Sequence, residues 1–127
     1  MIAKKTEDII TAIRDSNINS VISYLHKGNP NVDEEGSIFY INMAHEYIKK
    51  YVPRGKKVSY VILGRDEIYR VLVSCPLFEG FDSSNGVKKA ALELYFRPPT
   101  PNSRYSELVS IYMKQDLNFE YRWKKSK

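Results

Sequence analysis

The chain reads as an α+β domain: N-terminal helices packed on a curved, mixed-to-antiparallel sheet of four to six strands. Two observations predict this. Apolar residues recur at three- and four-residue spacing up to Val52, and long apolar-rich runs with turn chemistry between them fill the rest. At 127 residues the chain fits one domain, 1–127, with the basic tail 124–127 expected to be flexible.

Thr6-Glu7-Asp8 precedes Ile9, Ile10 and Ile13, so the first helix is expected to start with Thr6 as N-cap and acids in its first turn. Asp15-Ser16-Asn17 breaks it. Ile18, Val21, Ile22 and Leu25 stripe a second helix. Gly28 is expected to close that helix in the left-handed conformation, ahead of Asn29-Pro30. The stretch Ala12–Gly36 is similar to one ankyrin repeat, but no second copy follows at a period of about 33 residues, and one repeat cannot bury its own face.

Gly36–Ile41 is β-prone and is expected to form a short strand. A third helix then carries Met43, Ala44, Tyr47, Ile48, Tyr51 and Val52, and Pro53-Arg54-Gly55 stops it. Strands follow over 58–64 and 68–78, joined by a turn at Gly64-Arg65-Asp66-Glu67. Pro76 places the second strand at an edge or in a bulge. After an Asp82–Gly86 loop, the strand 88–97 alternates, with Ala90, Leu92, Leu94 and Phe96 on one face. Glu93, Tyr95 and Arg97 take the other. A Pro-rich loop over 97–104 leads to a last strand segment through Val109, Ile111 and Met113, and Phe119, Tyr121 and Trp123 alternate after it.

The order helix, helix, short strand, helix, strands resembles the nuclear transport factor 2-like superfamily. "DSNINSVISYL", "SIFYINMAHEYIKKY" and the long strands carry the resemblance, which covers about Lys5 to Trp123. It implies a cone: a curved sheet wrapped round the helices, with a pocket at its open end. Members include small-molecule enzymes, secretion and conjugation components, transport adaptors and immunity proteins of bacterial toxin systems, so the fold alone assigns no function.

Several chemistries find no support in the residues. His26 and His45 both lie on helices, and Lys49 stands where a zinc-protease spacing from His45 would need a second histidine. With one cysteine, Cys75, there is no paired-cysteine metal motif and no intrachain disulfide, which fits a reducing compartment. Asp33-Glu34-Glu35 lacks the alternating ligands of a calcium loop. The glycines form no phosphate loop. No cofactor is expected. No apolar run is long enough to span a bilayer and the N-terminus has no signal core, so a cytoplasmic protein is expected, unless a targeting segment has been removed.

The formal charge is +5, and bases exceed acids by 9 to 7 over 1–63 and by 11 to 8 over 64–127, so the excess is spread rather than held in one arm. Such a surface steers anionic partners without the dense stripe of a dedicated nucleic-acid binder. Sixteen aromatics are many for this length, and those of the strands interleave with arginines. Tyr69, Arg70, Tyr95, Arg97, Tyr112, Tyr121, Arg122 and Trp123 are therefore the candidates for a partner-binding face, since Tyr, Trp and Arg carry interface energy. The ordinary alternative is that strands favour aromatics. Tyr60 and Glu93 are the cavity candidates. Glu93 is a general acid–base if it faces a cavity, or one rung of a charge ladder with Lys or Arg if it faces solvent.

The expectation is a non-enzymatic protein-binding module, of immunity type or part of a larger assembly, with a homodimer through the sheet also open. The rivals are a small-molecule enzyme or carrier with its site in the cone, and weak nucleic-acid binding through the aromatic and basic face.

Overall fold

The computed structural model describes residues 2–65, 70–82, 86–98 and 107–117. Three helices, α1 (Ile2–Arg14), α2 (Ile18–Gly28) and α3 (Glu34–Tyr51), precede four strands, β1 (Val61–Arg65), β2 (Val71–Asp82), β3 (Val87–Phe96) and β4 (Leu108–Leu117). The strands form one antiparallel sheet in the order β1-β2-β3-β4. This is the α+β arrangement, with the N-terminal helices on the sheet. No described helix is long and apolar enough to cross a membrane.

α1 starts earlier than the sequence suggests. Thr6 is not its cap but an interior residue, wholly buried with Ile9, Ile10 and Ile13. Positions 6, 9, 10 and 13 are one helical stripe, and Thr6 is its first member. Ser16, at φ 58°, makes the break, and Asn17 caps α2 by accepting from the Ser20 amide at 3.4 Å.

Gly36–Ile41 is helical, not a strand. Asp33 caps α3, accepting from the Gly36 amide at 3.1 Å, and Glu34 and Glu35 occupy the first turn, where carboxylates favour the positive helix end. Ser37, Ile41, Ala44 and Ile48 are buried at helical spacing through the expected boundary. Burial of that stripe outweighs the β preference of Ile38, Phe39 and Tyr40.

Gly28 does not take the left-handed conformation; Asn29, the C-cap of α2, is extended at φ −148°. Gly28 is instead a point of close approach. A Cβ there would lie 2.8 Å from the Leu108 carbonyl carbon and 3.1 Å from Glu107 Cβ. Asn29 Nδ2 donates to the Val109 carbonyl at 3.3 Å and ties the same corner.

The helices pack on the face of the sheet formed by Val71, Val73, Cys75, Leu92, Leu94, Phe96, Ile111 and Met113, all buried. β3 alternates as its sequence indicates, with Leu92, Leu94 and Phe96 fully buried and Ala91, Glu93 and Tyr95 half-buried. Pro76 lies on an interior strand, yet both expected features are present locally. β1 is paired with β2 only as far as Ser74, and the register with β3 shifts between Pro76 and Phe78. The turn residues Asp66 and Glu67, most of the Pro-rich loop, the Phe119–Trp123 alternation and the 124–127 tail lie outside the described residues.

Candidate functional site

The face of the sheet away from the core carries the polar and aromatic positions of opposite parity. Leu72, Tyr95 and Ser110 form one cross-strand row, and Ser74, Glu93 and Tyr112 the next. This pairing brings Glu93, Tyr95 and Tyr112 together. The Tyr95 hydroxyl donates to Glu93 Oε1 at 3.3 Å. Glu93 lies opposite Ser74 and Tyr112, with Lys114 one row further on the same face, and among the described residues it forms no ion pair with a Lys or Arg.

Arg70, just before β2, lies with its guanidinium carbon 4.4 Å from the centroid of the Tyr95 ring. Such stacking is attractive through the ring quadrupole and leaves the guanidinium edge directed along the ring plane. Arg97, just past β3, donates from Nη2 to the Gly28 carbonyl at the end of α2, and its amide donates to the Glu107 carbonyl at 2.8 Å. Both arginines line one open cleft of about 570 Å³ at this corner, with Asn29, Asn31, Ser37 and Tyr40. Asp33 is the one acid among its described lining residues, and its carboxylate is engaged as the α3 cap. Behind the cleft, Glu107 is held by Lys5 at 3.1 Å and Lys27 at 3.8 Å, so its charge is compensated locally.

Tyr40 connects the cleft to an aromatic patch. Its ring meets Tyr112 edge-to-face at 5.0 Å and Phe39 at 5.5 Å. Phe39 is 60% exposed and Tyr112 40%. Sequence reading missed Phe39 and Tyr40, because the segment looked like a strand. With the helical stripe 37, 41, 44, 48 recognised, an aromatic at 39 falls off the core face, and that is the signal that would have found it.

Arg70, Tyr95, Arg97, Tyr112 and Glu93 are therefore brought together, while Tyr60 is not. Tyr60 sits against α1, its hydroxyl donating to Glu7 Oε1 at 3.3 Å beside Lys57 and Arg14. Partial burial, the Glu7 carboxylate and that hydrogen bond push its phenol above the ordinary value. Tyr69, Tyr121, Arg122 and Trp123 lie outside the described residues.

The histidines serve helix contacts. His45 Nδ1 donates to the Ile13 carbonyl at 2.8 Å, closing the end of α1, and His26 pairs with Glu34 at 3.2 Å. Among the described residues no group of three or more His, Cys, Asp or Glu side chains could hold a metal ion. Cys75 is fully buried under the helices, and burial pushes its thiol up to about 12.

No family model, curated protein or solved structure matches the chain. The geometry itself therefore carries the functional argument. The described lining of the cleft combines two arginines with amide and hydroxyl side chains and the ring of Tyr40, a set of groups suited to a carboxylate or other planar anion.

Proposed function

We propose that the chain is a non-enzymatic protein-binding module. Its partner surface is the Arg70–Arg97 cleft together with the Phe39–Tyr40–Tyr112 patch, and the partner brings an acidic side chain into the cleft. The observation that carries this reading is the stacking of Arg70 on Tyr95 in a cleft continuous with exposed aromatics. Arginine and tyrosine grouped around an apolar patch are the residues that dominate interface energies. Neutralising a cognate toxin and docking into a larger assembly make the same demand on such a surface.

Photo-crosslinking in the native host tests it. A photoreactive residue at Tyr112 or Phe39 is expected to give one discrete protein adduct, and the same residue at exposed Lys49 none. Arg70→Glu is expected to weaken the adduct partner's affinity by roughly 30-fold, the effect of losing a hot spot of about 2 kcal/mol. Equal labelling from Lys49, or an adduct indifferent to Arg70→Glu, would sink the proposal.

A second reading rests on the cleft's volume. About 570 Å³ is the size of a small-ligand site, so a small dicarboxylate could occupy it. Titration of the protein with glutarate, followed by amide shifts of Asn29, Ser37 and Ser110, separates the two. Saturable shifts confined to these residues favour the small ligand, and their absence leaves the protein partner as the occupant.

A further inference from the structure

The net charge of the chain is local. Of its 20 bases and 15 acids, residues 47–64 hold five bases, Lys49, Lys50, Arg54, Lys56 and Lys57, and no acid. The rest of the chain balances at 15 of each, so this one segment carries the whole +5. Dividing the sequence at mid-length hides this, because acids outnumber bases over residues 1–46.

The fold gathers these bases at one corner. Lys49 and Lys50 stand in the last turn of α3, and Arg14 in the last turn of α1. Pro53–Lys56 is a tight turn: the Lys56 amide donates to the Pro53 carbonyl at 3.0 Å, and Gly55, its third residue, supplies the positive φ of 83°. Arg14 Nη2 donates to the Lys56 carbonyl at 2.7 Å and ties the turn to α1. Arg14, Lys49 and Arg54 line one cleft of about 450 Å³ with His45 and Pro53, and Asp15 is the one acid among its described lining residues. Lys57 lines the adjoining recess beside Arg14, where Glu7 and Asp8 are engaged by Tyr60 and Lys4. Lys49, Arg54, Lys56 and Lys57 are exposed, and neither they nor Arg14 form an ion pair among the described residues. Lys4, Lys5, Lys27 and Lys89 each meet a carboxylate instead. Helix ends explain part of the cluster, since Arg14, Lys49 and Lys50 offset the negative ends of α1 and α3. Arg54, Lys56 and Lys57 lie past both helices, and that reason does not reach them.

We propose that this corner docks the phosphate backbone of a duplex nucleic acid. Six bases stand against Asp15 and Glu46 here while the charge of the remaining chain cancels, so a polyanion is drawn to this corner. The bases run from the cleft through the turn to Lys57, which suits a row of phosphates better than a single one. They ring a recess, which a ridge of phosphates enters and a flat bilayer surface does not. Single strands are held by stacking on open rings. The rings at this end of α3 are committed to the fold: Tyr51 packs on Tyr47 at 5.7 Å and on Phe78 at 4.2 Å. Backbone contact is therefore the mode of binding. α3 separates this corner from the arginine cleft by roughly 25 Å, at about 1.5 Å per residue, and neither proposal depends on the other.

Fluorescence anisotropy of a short labelled DNA duplex, titrated with the full chain at about 50 and about 200 mM salt, tests it. With about four phosphates neutralised, log affinity falls against log salt with a slope of roughly −3.5, so the wild type is expected to lose about 100-fold over that range. The combined charge reversals Arg54→Glu, Lys56→Glu and Lys57→Glu are expected to weaken binding at the lower salt by about 30-fold or more. Lys4→Glu, Lys88→Glu and Lys114→Glu together change net charge equally at exposed sites elsewhere, and are expected to weaken it by about fivefold or less, since distant charges are screened. A second arm needs no variant. Wild-type amide shifts on adding the duplex are expected over residues 49–57 and not at Ser110 or Tyr112. No binding at the lower salt, shifts centred on Ser110 and Tyr112, or equal weakening by the two triple variants overturns the proposal. So does uptake by phosphatidylserine vesicles without binding to the duplex.

Discussion

Gly28→Ala separates two physical roles for a glycine at the end of a helix, and they predict opposite signs. If Gly28 were an ordinary helical residue, alanine would stabilise the protein by about 1 kcal/mol through helix propensity. The packing predicts the reverse. The new Cβ would sit 2.8 Å from the Leu108 carbonyl carbon, with the carbonyl oxygen nearer still, where ordinary contact starts at 3.4 Å. The difference, 3.4 − 2.8, requires α2 and β4 to part by at least 0.6 Å. Overpacking of this kind costs about 1–3 kcal/mol. The displacement also pulls the Gly28 carbonyl from Arg97, and a charged hydrogen bond of that sort contributes about 1.5–3 kcal/mol.

With the propensity gain subtracted, the expected loss is about 1.5–5 kcal/mol, a large share of the 5–15 kcal/mol that holds a domain together. Urea unfolding followed by far-ultraviolet circular dichroism measures it, and the melting temperature is expected to fall by about 10 °C. Gly55→Ala is the control. Gly55 has φ 83° and nothing within 4 Å of its Cβ position, so only backbone strain of about 1–2 kcal/mol applies there. A Gly28→Ala midpoint at or above wild type would refute the close-approach reading.

Thr6→Val is expected to stabilise the protein by about 1 kcal/mol, since the buried Thr6 hydroxyl has no hydrogen-bond partner among the described residues; a lower urea midpoint would contradict this. Asp33→Ala is expected to cost about 1 kcal/mol and to speed hydrogen exchange at the Gly36 and Ser37 amides, which Asp33 accepts from through its side chain and carbonyl. Cys75 keeps its proton in the folded state up to about pH 12, while an unfolded thiol loses it near 9. The stability it contributes is therefore complete below the unfolded value and falls as pH rises toward the folded one, by about 1.4 kcal/mol per pH unit. Urea midpoints of the wild type and Cys75→Ala from pH 8 to 11 are expected to converge, and parallel curves would show that Cys75 is not the group responsible.

The most legible parts of the fold were those with one periodic solution. β3 alternates so cleanly that only one face can be the core, and the structure buries Leu92, Leu94 and Phe96 there. The stripes of α1 and α2 were equally readable. Misreadings arose where local chemistry had two uses. Thr6 looks like a cap because threonine often is one, but it continues the stripe of Ile9 and Ile13. Gly36–Ile41 has strand composition, yet Asp33 and the Ser37–Ile48 stripe make it helix. Gly28 looks like a left-handed cap because its true constraint, Leu108, is eighty positions along the chain (108 − 28), and nothing local reveals it. The site was partly legible for the same reason as β3. Parity put Glu93, Tyr95 and Arg97 on one face, but only the register with β4 shows that Tyr112 joins them and that α3 supplies Phe39 and Tyr40.

That register bears on how the cleft would bind. A free arginine side chain loses up to about 2 kcal/mol of rotamer entropy when it is fixed on a partner. Arg70 has already lost part of that freedom, because the Tyr95 ring holds its guanidinium, and Tyr95 is in turn oriented by its bond to Glu93. Arg97 is likewise held by the Gly28 carbonyl. Folding has thus met some of the ordering cost that binding would otherwise carry, which is the advantage of a preorganised site. Glu93 and Tyr95 stand on the face of the sheet opposite Leu92, Leu94 and Phe96, while Arg97 also ties the end of α2 to the sheet. The two long, flexible side chains that cost most to order are thus the two that the fold restrains at the cleft, which would lower the entropic cost of gripping an anionic group there.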